Sequence, residues 1–282
     1  MLGLGLKDRA LSVVHSVQRS LNGGVLPGYI HDFELSKAEA LTRRSPTPGP
    51  LEELFFKHRG RPAHKWVHYL AVYDQWLAPY RGTDIHMLEV GVNLGGSLEL
   101  WREYLGPDAV IFGIDIDPEH AENVDAPNQV RIGDQADPKF LDRVVAEMGR
   151  LDVVFDDGSH VARHQRATFK HLFPRLVDGG LYGIEDLHTA YWRSFGGGYR
   201  RPGTAMDMIS GLMDDMHGWY HGHKPRYVPR DQIESVTVYD SIAMIRKRKV
   251  PRPGHYKTPA TADNAPKRTQ PAARAHSPAR RL

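Results

Sequence analysis

Residues 85–97, IHMLEVGVNLGGS, decide the fold. An apolar run of strand length ends in Glu89-Val90-Gly91, a turn follows through Asn93 and Gly95, and a helical pattern begins near residue 95. A strand that empties through glycines into a helix opens an α/β unit, because glycines let the backbone turn tightly and approach a ligand. The spacing is not the GxGxxG of dinucleotide sites, since Asn93 stands where the second glycine would be. Four further apolar runs follow: VIFGIDID (110–117), QVRIGD (129–134), LDVVFDD (151–157) and LYGIEDL (181–187). Helical segments fall near 95–105, 137–148 and 162–176. Strands apolar on both faces that alternate with helices imply a mostly parallel sheet covered on both sides, a doubly wound Rossmann-like α/β fold. After a helical insertion near 204–217, ESVTVYD (234–240) and SIAMIRK (241–247) abut closely, which predicts an antiparallel hairpin at one sheet edge.

Upstream, Leu6, Ala10, Val13 or Val14, Val17 and Leu21 recur at three- and four-residue steps, an amphipathic helix stopped by Asn22-Gly23-Gly24. Its polar face lacks the dense Lys/Arg stripe of an interfacial helix, so packing on the body or a homo-oligomeric contact is expected rather than a membrane surface. Gly and Pro in 22–50 read as a loop or movable flap, and 51–77 reads as helical, broken near Gly60-Arg61-Pro62. The expected organisation is therefore 1–50 as helix and flap, 51–250 as the main α/β domain, and 251–282 as a disordered basic Pro/Ala-rich tail.

Composition narrows the function. The 282 residues are 40% hydrophobic with no cysteine, which excludes disulfides, thiolate metal sites and cysteine nucleophiles. No apolar run nears the roughly 20 residues of a membrane span, and no secretory leader is evident, so a cytoplasmic protein is expected. From Arg246 to Leu282 there are eleven Lys or Arg and one acid, Asp263, a net +10. The remaining 26 basic and 33 acidic residues leave 1–245 at −7. The basic balance belongs to the tail, and no nucleic-acid footprint is expected on the folded body.

Ligands of open α/β sheets bind at the carboxyl ends of the strands, where strand order reverses. There the second strand ends in Asp115, placed to accept hydrogen bonds from two ribose hydroxyls. The fourth ends Asp156-Asp157-Gly158-Ser159-His160 and the fifth Glu185-Asp186. Four carboxylates at two adjacent strand mouths repel unless a cation neutralises them, and oxygen ligation suits Mg²⁺. His160, three residues past Asp157, is placed to take a proton from an acceptor hydroxyl. Tyr191, Trp192, Tyr199, Trp219 and Tyr220 offer flat faces for a pyranose ring, or ordinary packing of the insertion. His164 and His171 read as surface histidines.

The acid before the glycines, their spacing and Asp115 together resemble the class I S-adenosylmethionine methyltransferases. That resemblance implies that Gly91 and Gly95 approach the methionine part, that Asp115 holds the ribose and that Asp134 lies near the adenine. It implies Glu89 as a support for the glycine loop or the methionine amine. The pairing of DDGSH (156–160) with IEDL (184–187), together with Thr189-Ala190-Tyr191-Trp192, is similar to the Mg-dependent sugar O-methyltransferases over about residues 50–250. This second resemblance implies Asp157, Glu185 and Asp186 as Mg²⁺ ligands, His160 as general base, and Asp156 facing the cofactor or supporting the site from behind. It implies a sugar or glycoside acceptor. Ala63-His64-Lys65-Trp66 departs from the family pattern, with His64 in place of an acid, which puts any role of that segment in doubt. The competing readings are a phenol or catechol acceptor with the same fold, and a non-catalytic binding protein that uses the basic tail.

Overall fold

The computed structural model describes residues 33–258, so the expected helix at 6–21 and most of the tail lie outside the described residues. The chain divides between Pro251 and Arg252 into two units, and the described part of the second, 252–258, holds no helix or strand. Among the described residues no helix is long and apolar enough to cross a membrane.

Seven strands form one sheet: β1 (His86–Val90), β2 (Val110–Asp115), β3 (Gln129–Ile132), β4 (Val153–Asp156), β5 (Leu181–Ile184), β6 (Ile233–Val238) and β7 (Ala243–Lys247). Their order is β3-β2-β1-β4-β5-β7-β6. The first five run parallel, and β7 pairs antiparallel with both β5 and β6. The strand order reverses between β1 and β4, where Val90 pairs with Asp156, so the residues just past both strands meet at the switch point. The central strands β1, β4 and β5 are buried almost throughout, as their unbroken apolar runs require, whereas β3 lies at an edge and is partly exposed.

Eight α-helices are described: α1 (Lys37–Thr42), α2 (Pro50–Lys57), α3 (Tyr69–Leu77), α4 (Gly96–Leu105), α5 (Pro138–Met148), α6 (Ala162–Leu172), α7 (Ala205–Met216) and α8 (Gly218–His221). One core layer, from α2, α3 and α4, packs Tyr69, Tyr73 and Trp101 against Phe155. The other, from α5, α6 and α7, packs Phe140, Phe169 and Met208 with Tyr182. The interruption expected near 60–62 is the non-helical stretch 58–68 between α2 and α3. The stretch read as a loop or flap contains α1, held by a capping box in which Ser36 and Glu39 satisfy each other's backbone amides.

Candidate active site

A cavity of about 500 Å³ opens at the carboxyl ends of β1, β2, β4 and β5. Its construction depends on two glycines. Gly91 has φ +91°, and a Cβ there would lie 2.2 Å from the carbonyl oxygen of Asp157, so the loop after β1 rests backbone to backbone on the loop after β4. Gly96 opens α4, and its Cβ would lie 2.3 Å from the Arg61 carbonyl, which seats the 58–68 stretch against the same helix terminus.

The sequence-predicted cofactor residues fall into three groups. Gly91, Asp115 and Asp134 line the cavity, whereas Gly95 caps α4 beside it at φ +82°. Asp115 accepts hydrogen bonds from the amides of Val92 (2.8 Å), Asn93 (3.2 Å) and Asp117 (3.0 Å), so it also sets the shape of the glycine loop. Burial pushes its pKa up, but those amides and the His120 ring outweigh burial and hold the carboxyl below its usual range. Asp134 is exposed and accepts from the Ala136 amide at 2.8 Å.

Glu89 and Asp156 lie behind the wall and do not line the cavity. Glu89 is fully buried, accepts from Ser97 Oγ at 2.7 Å, and faces Lys65 Nζ at 3.3 Å. Its partners are thus the first turn of α4, just past the glycine loop, and the Lys65 ammonium. Asp156, for which a cofactor-facing position was one expectation, is equally buried and accepts from Gln135 Nε2 and Tyr182 Oη, each at 3.2 Å. Successive side chains on a strand point to opposite faces, so Asp156 turns under the sheet end as Asp157 turns into the cavity. Burial, only partly offset by His160 and these hydrogen bonds, raises the Asp156 pKa to about 6. Gln135 relays this anchor to the acid-bearing loop by accepting from the Ser159 amide at 2.8 Å.

Asp157, His160 and Asp186 converge, each offering one ligand atom within 4.8 Å of the others. His160 Nε2 lies 3.6 Å from Asp186 and 3.8 Å from Asp157. Both His160 (φ +54°) and Asp186 (φ +53°) hold left-handed backbone conformations, which are unfavourable for residues with a Cβ and concentrate at functional sites. Glu185, expected beside Asp157 and Asp186 as a ligand, lines the cavity with them and directs its carboxylate to Lys65 Nζ at 3.0 and 3.1 Å. It is 1% exposed, and a carboxylate so buried requires an immediate partner. Burial, and next the Asp157 charge, push its pKa well above the usual carboxylate range.

Hard oxygen donors with excess negative charge are what a divalent cation requires. Glu89, Asp157 and Glu185 surround a single ammonium, and Asp186 adds a fourth carboxylate. The donor set thus fits Mg²⁺, with His160 within reach as well.

Sequence reasoning missed the contribution of 58–69. Lys65 Nζ touches Asp157 at 2.5 Å, and Trp66 Nε1 donates to Asp186 at 2.9 Å. Tyr69 Oη accepts the Asp186 amide at 3.2 Å while donating to the Ser241 carbonyl at 2.7 Å. The motif at 63–66 was the available signal. Of the five aromatics offered as sugar platforms none lines the cavity: Tyr199 and Tyr220 are 81% and 74% exposed, and Trp219 lies under Arg230. Trp66, His188, Trp192 and Phe195 form instead a connected aromatic row that ends beside His160.

Residues 88–187, which carry the glycine loop and the acid cluster, match a family described as a methyltransferase domain. The chain is similar to enzymes named for O-methylation of glycosylated natural products. It is 37% identical over 202 residues to the 8-demethyl-8-(2-methoxy-alpha-L-rhamnosyl)-tetracenomycin-C 3'-O-methyltransferase of Streptomyces olivaceus, covering 68% of this chain and 51% of that protein. It is 34% identical over 222 residues to the mycinamicin VI 2''-O-methyltransferase of Micromonospora griseorubida, covering 72% and 53%. The MycE methyltransferase of the mycinamycin biosynthetic pathway, solved with Mg, SAH and mycinamycin VI, superposes with a TM-score of 0.64 at 32% identity, over 77% of this chain and 57% of that one. The chain spans about half the length of the curated relatives it matches.

Proposed function

We propose that this protein transfers the methyl group of S-adenosylmethionine to a hydroxyl of a sugar on a glycosylated natural product or polysaccharide, with a divalent cation at its acid cluster. The observation that carries this reading is the backbone contact of Gly91 with Asp157, which sets the glycine-loop cavity directly beside Asp157, His160 and Asp186. The glycine loop and Asp115 bind the cofactor's amino-acid and ribose parts, and Ile116, 69% exposed at the cavity rim, offers an apolar face to the adenine. Asp157, Glu185 and Asp186 would hold the cation, all three lining the cavity. When bound, such a cation supplies Lewis-acid polarisation of the acceptor oxygen. His160 Nε2 takes the acceptor's proton as the oxygen attacks the sulfonium methyl in line, the methyl–sulfur bond breaks and its electron pair leaves on the neutral thioether S-adenosylhomocysteine. The relatives' named substrates, rhamnosyl and mycinamicin sugars, support a sugar acceptor here.

The test is a thermal-shift panel with S-adenosylhomocysteine, NAD and Mg²⁺. A rise in Tm with S-adenosylhomocysteine and none with NAD is expected, and the reverse pattern would overturn the cofactor. Asp115→Ala is expected to weaken S-adenosylhomocysteine binding by about tenfold or more, because charge-assisted hydrogen bonds worth roughly 1.5–3 kcal/mol each are lost. Unchanged affinity by calorimetry would remove Asp115 from the cofactor site.

A further inference from the structure

The 58–68 stretch places a buried ammonium inside the acid cluster. The Lys65 side chain is 3% exposed, and its Nζ contacts Asp157 (2.5 Å), Glu185 (3.0 Å) and Glu89 (3.3 Å), with the Tyr73 and Trp101 rings each 6.0 Å away. Asp157 and Glu185 are two of the acids read as cation ligands, whereas Glu89 is tied to Ser97 in the first turn of α4. The lysine is held in place by its neighbours: Trp66 is fixed on Asp186, and the Arg61 amide on Glu99 at 2.9 Å.

We propose that Lys65 is a resident counter-ion that sets the cation affinity of the site. With no cation bound, its charge keeps the Asp157 and Glu185 carboxylates folded side by side, which two buried anions would otherwise resist. A divalent cation needs the same oxygens and is repelled by the ammonium, so the two positive charges compete. Glu89 gives Lys65 a partner outside the cation's ligands, and the ammonium is not left unpaired when the cation binds. This proposal rests on reading Asp157, Glu185 and Asp186 as the acids of a cation site.

The experiment is calorimetric titration of Mg²⁺ into the metal-stripped full chain, wild type and Lys65→Met, with Tm measured in EDTA and in saturating Mg²⁺. Lys65→Met is expected to bind Mg²⁺ about tenfold or more tightly than wild type, to melt lower in EDTA, and to recover most of that loss in Mg²⁺. A lysine that merely props the loop would lose or keep cation affinity on removal, never gain it. Equal or weaker Mg²⁺ binding by the variant, with wild-type binding intact, overturns the role of Lys65. Absence of Mg²⁺ binding by wild type removes the cation reading and this proposal with it. If Lys65→Met does not fold in EDTA, refolding in excess Mg²⁺ supports the proposal, and failure to refold there overturns it.

Discussion

His160→Gln is expected to bind S-adenosylhomocysteine as the wild type does while losing kcat by about 10²–10⁴-fold, the usual range for a missing general base. The expectation follows from where the ring is held. A left-handed backbone at φ +54° throws the imidazole into the acid cluster, with Nε2 3.6 Å from Asp186. Nδ1 is buried with no hydrogen-bond partner among the described residues, and Phe195 lies 6.3 Å from the ring centroid. Nε2 is thus the nitrogen that faces the acids and the cavity. That same nitrogen lies within ligand distance of a cation held by Asp157 and Asp186. The two roles separate cleanly: a lost base leaves kcat low at every Mg²⁺ concentration, whereas a lost ligand is rescued by added metal. A rate restored to near wild type by Mg²⁺ alone would take His160 out of the proton-transfer role.

Gly91→Ala is expected to damage both the fold and the site. Two penalties coincide there. The residue sits at φ +91°, a conformation a Cβ strains, and the added carbon would lie 2.2 Å from Asp157 O and 2.9 Å from Gly158 Cα. Both obstacles are backbone atoms that cannot rotate away, so β1 and β4 must part at the switch point. Strain and overpacking together should destabilise the fold by about 3 kcal/mol, and cofactor affinity should fall by about 100-fold because Asp115 and Asp157 both move. Chemical denaturation and calorimetry with S-adenosylhomocysteine check this. Wild-type stability and affinity in Gly91→Ala would show that the two halves of the site are not built on that contact.

The sheet was legible because each central strand is an apolar run closed by a charged or glycine turn, and burial on both faces leaves no other reading for VVFD (153–156) or LYGI (181–184). The acids were legible for the same reason, since they end those strands. Which of two adjacent acids enters the cavity was not. Asp156 and Asp157 are separated by the pleat of one strand, while Glu185 and Asp186 both line the cavity and are set on different partners by the left-handed turn at Asp186, a backbone choice that no side-chain pattern announces. Lys65 and Trp66 were hidden for a different reason. They come from a non-helical stretch with no periodicity, and their partners lie 92 and 120 residues away. The short helix at 37–42 was masked by the surrounding Pro and Gly, although its Ser36-to-Glu39 box was present in the sequence.

Cation-dependent methyl transfer to a sugar hydroxyl is open to direct measurement. Purified full-length protein is incubated with methyl-labelled S-adenosylmethionine and a panel of glycosylated macrolides, free deoxysugars, oligosaccharides and catechols, in Mg²⁺ and in EDTA. A product one methyl heavier, with the label on a sugar oxygen, is expected in Mg²⁺ and not in EDTA. Label on a phenolic oxygen, or the same turnover in chelator with metal confirmed absent, would contradict it.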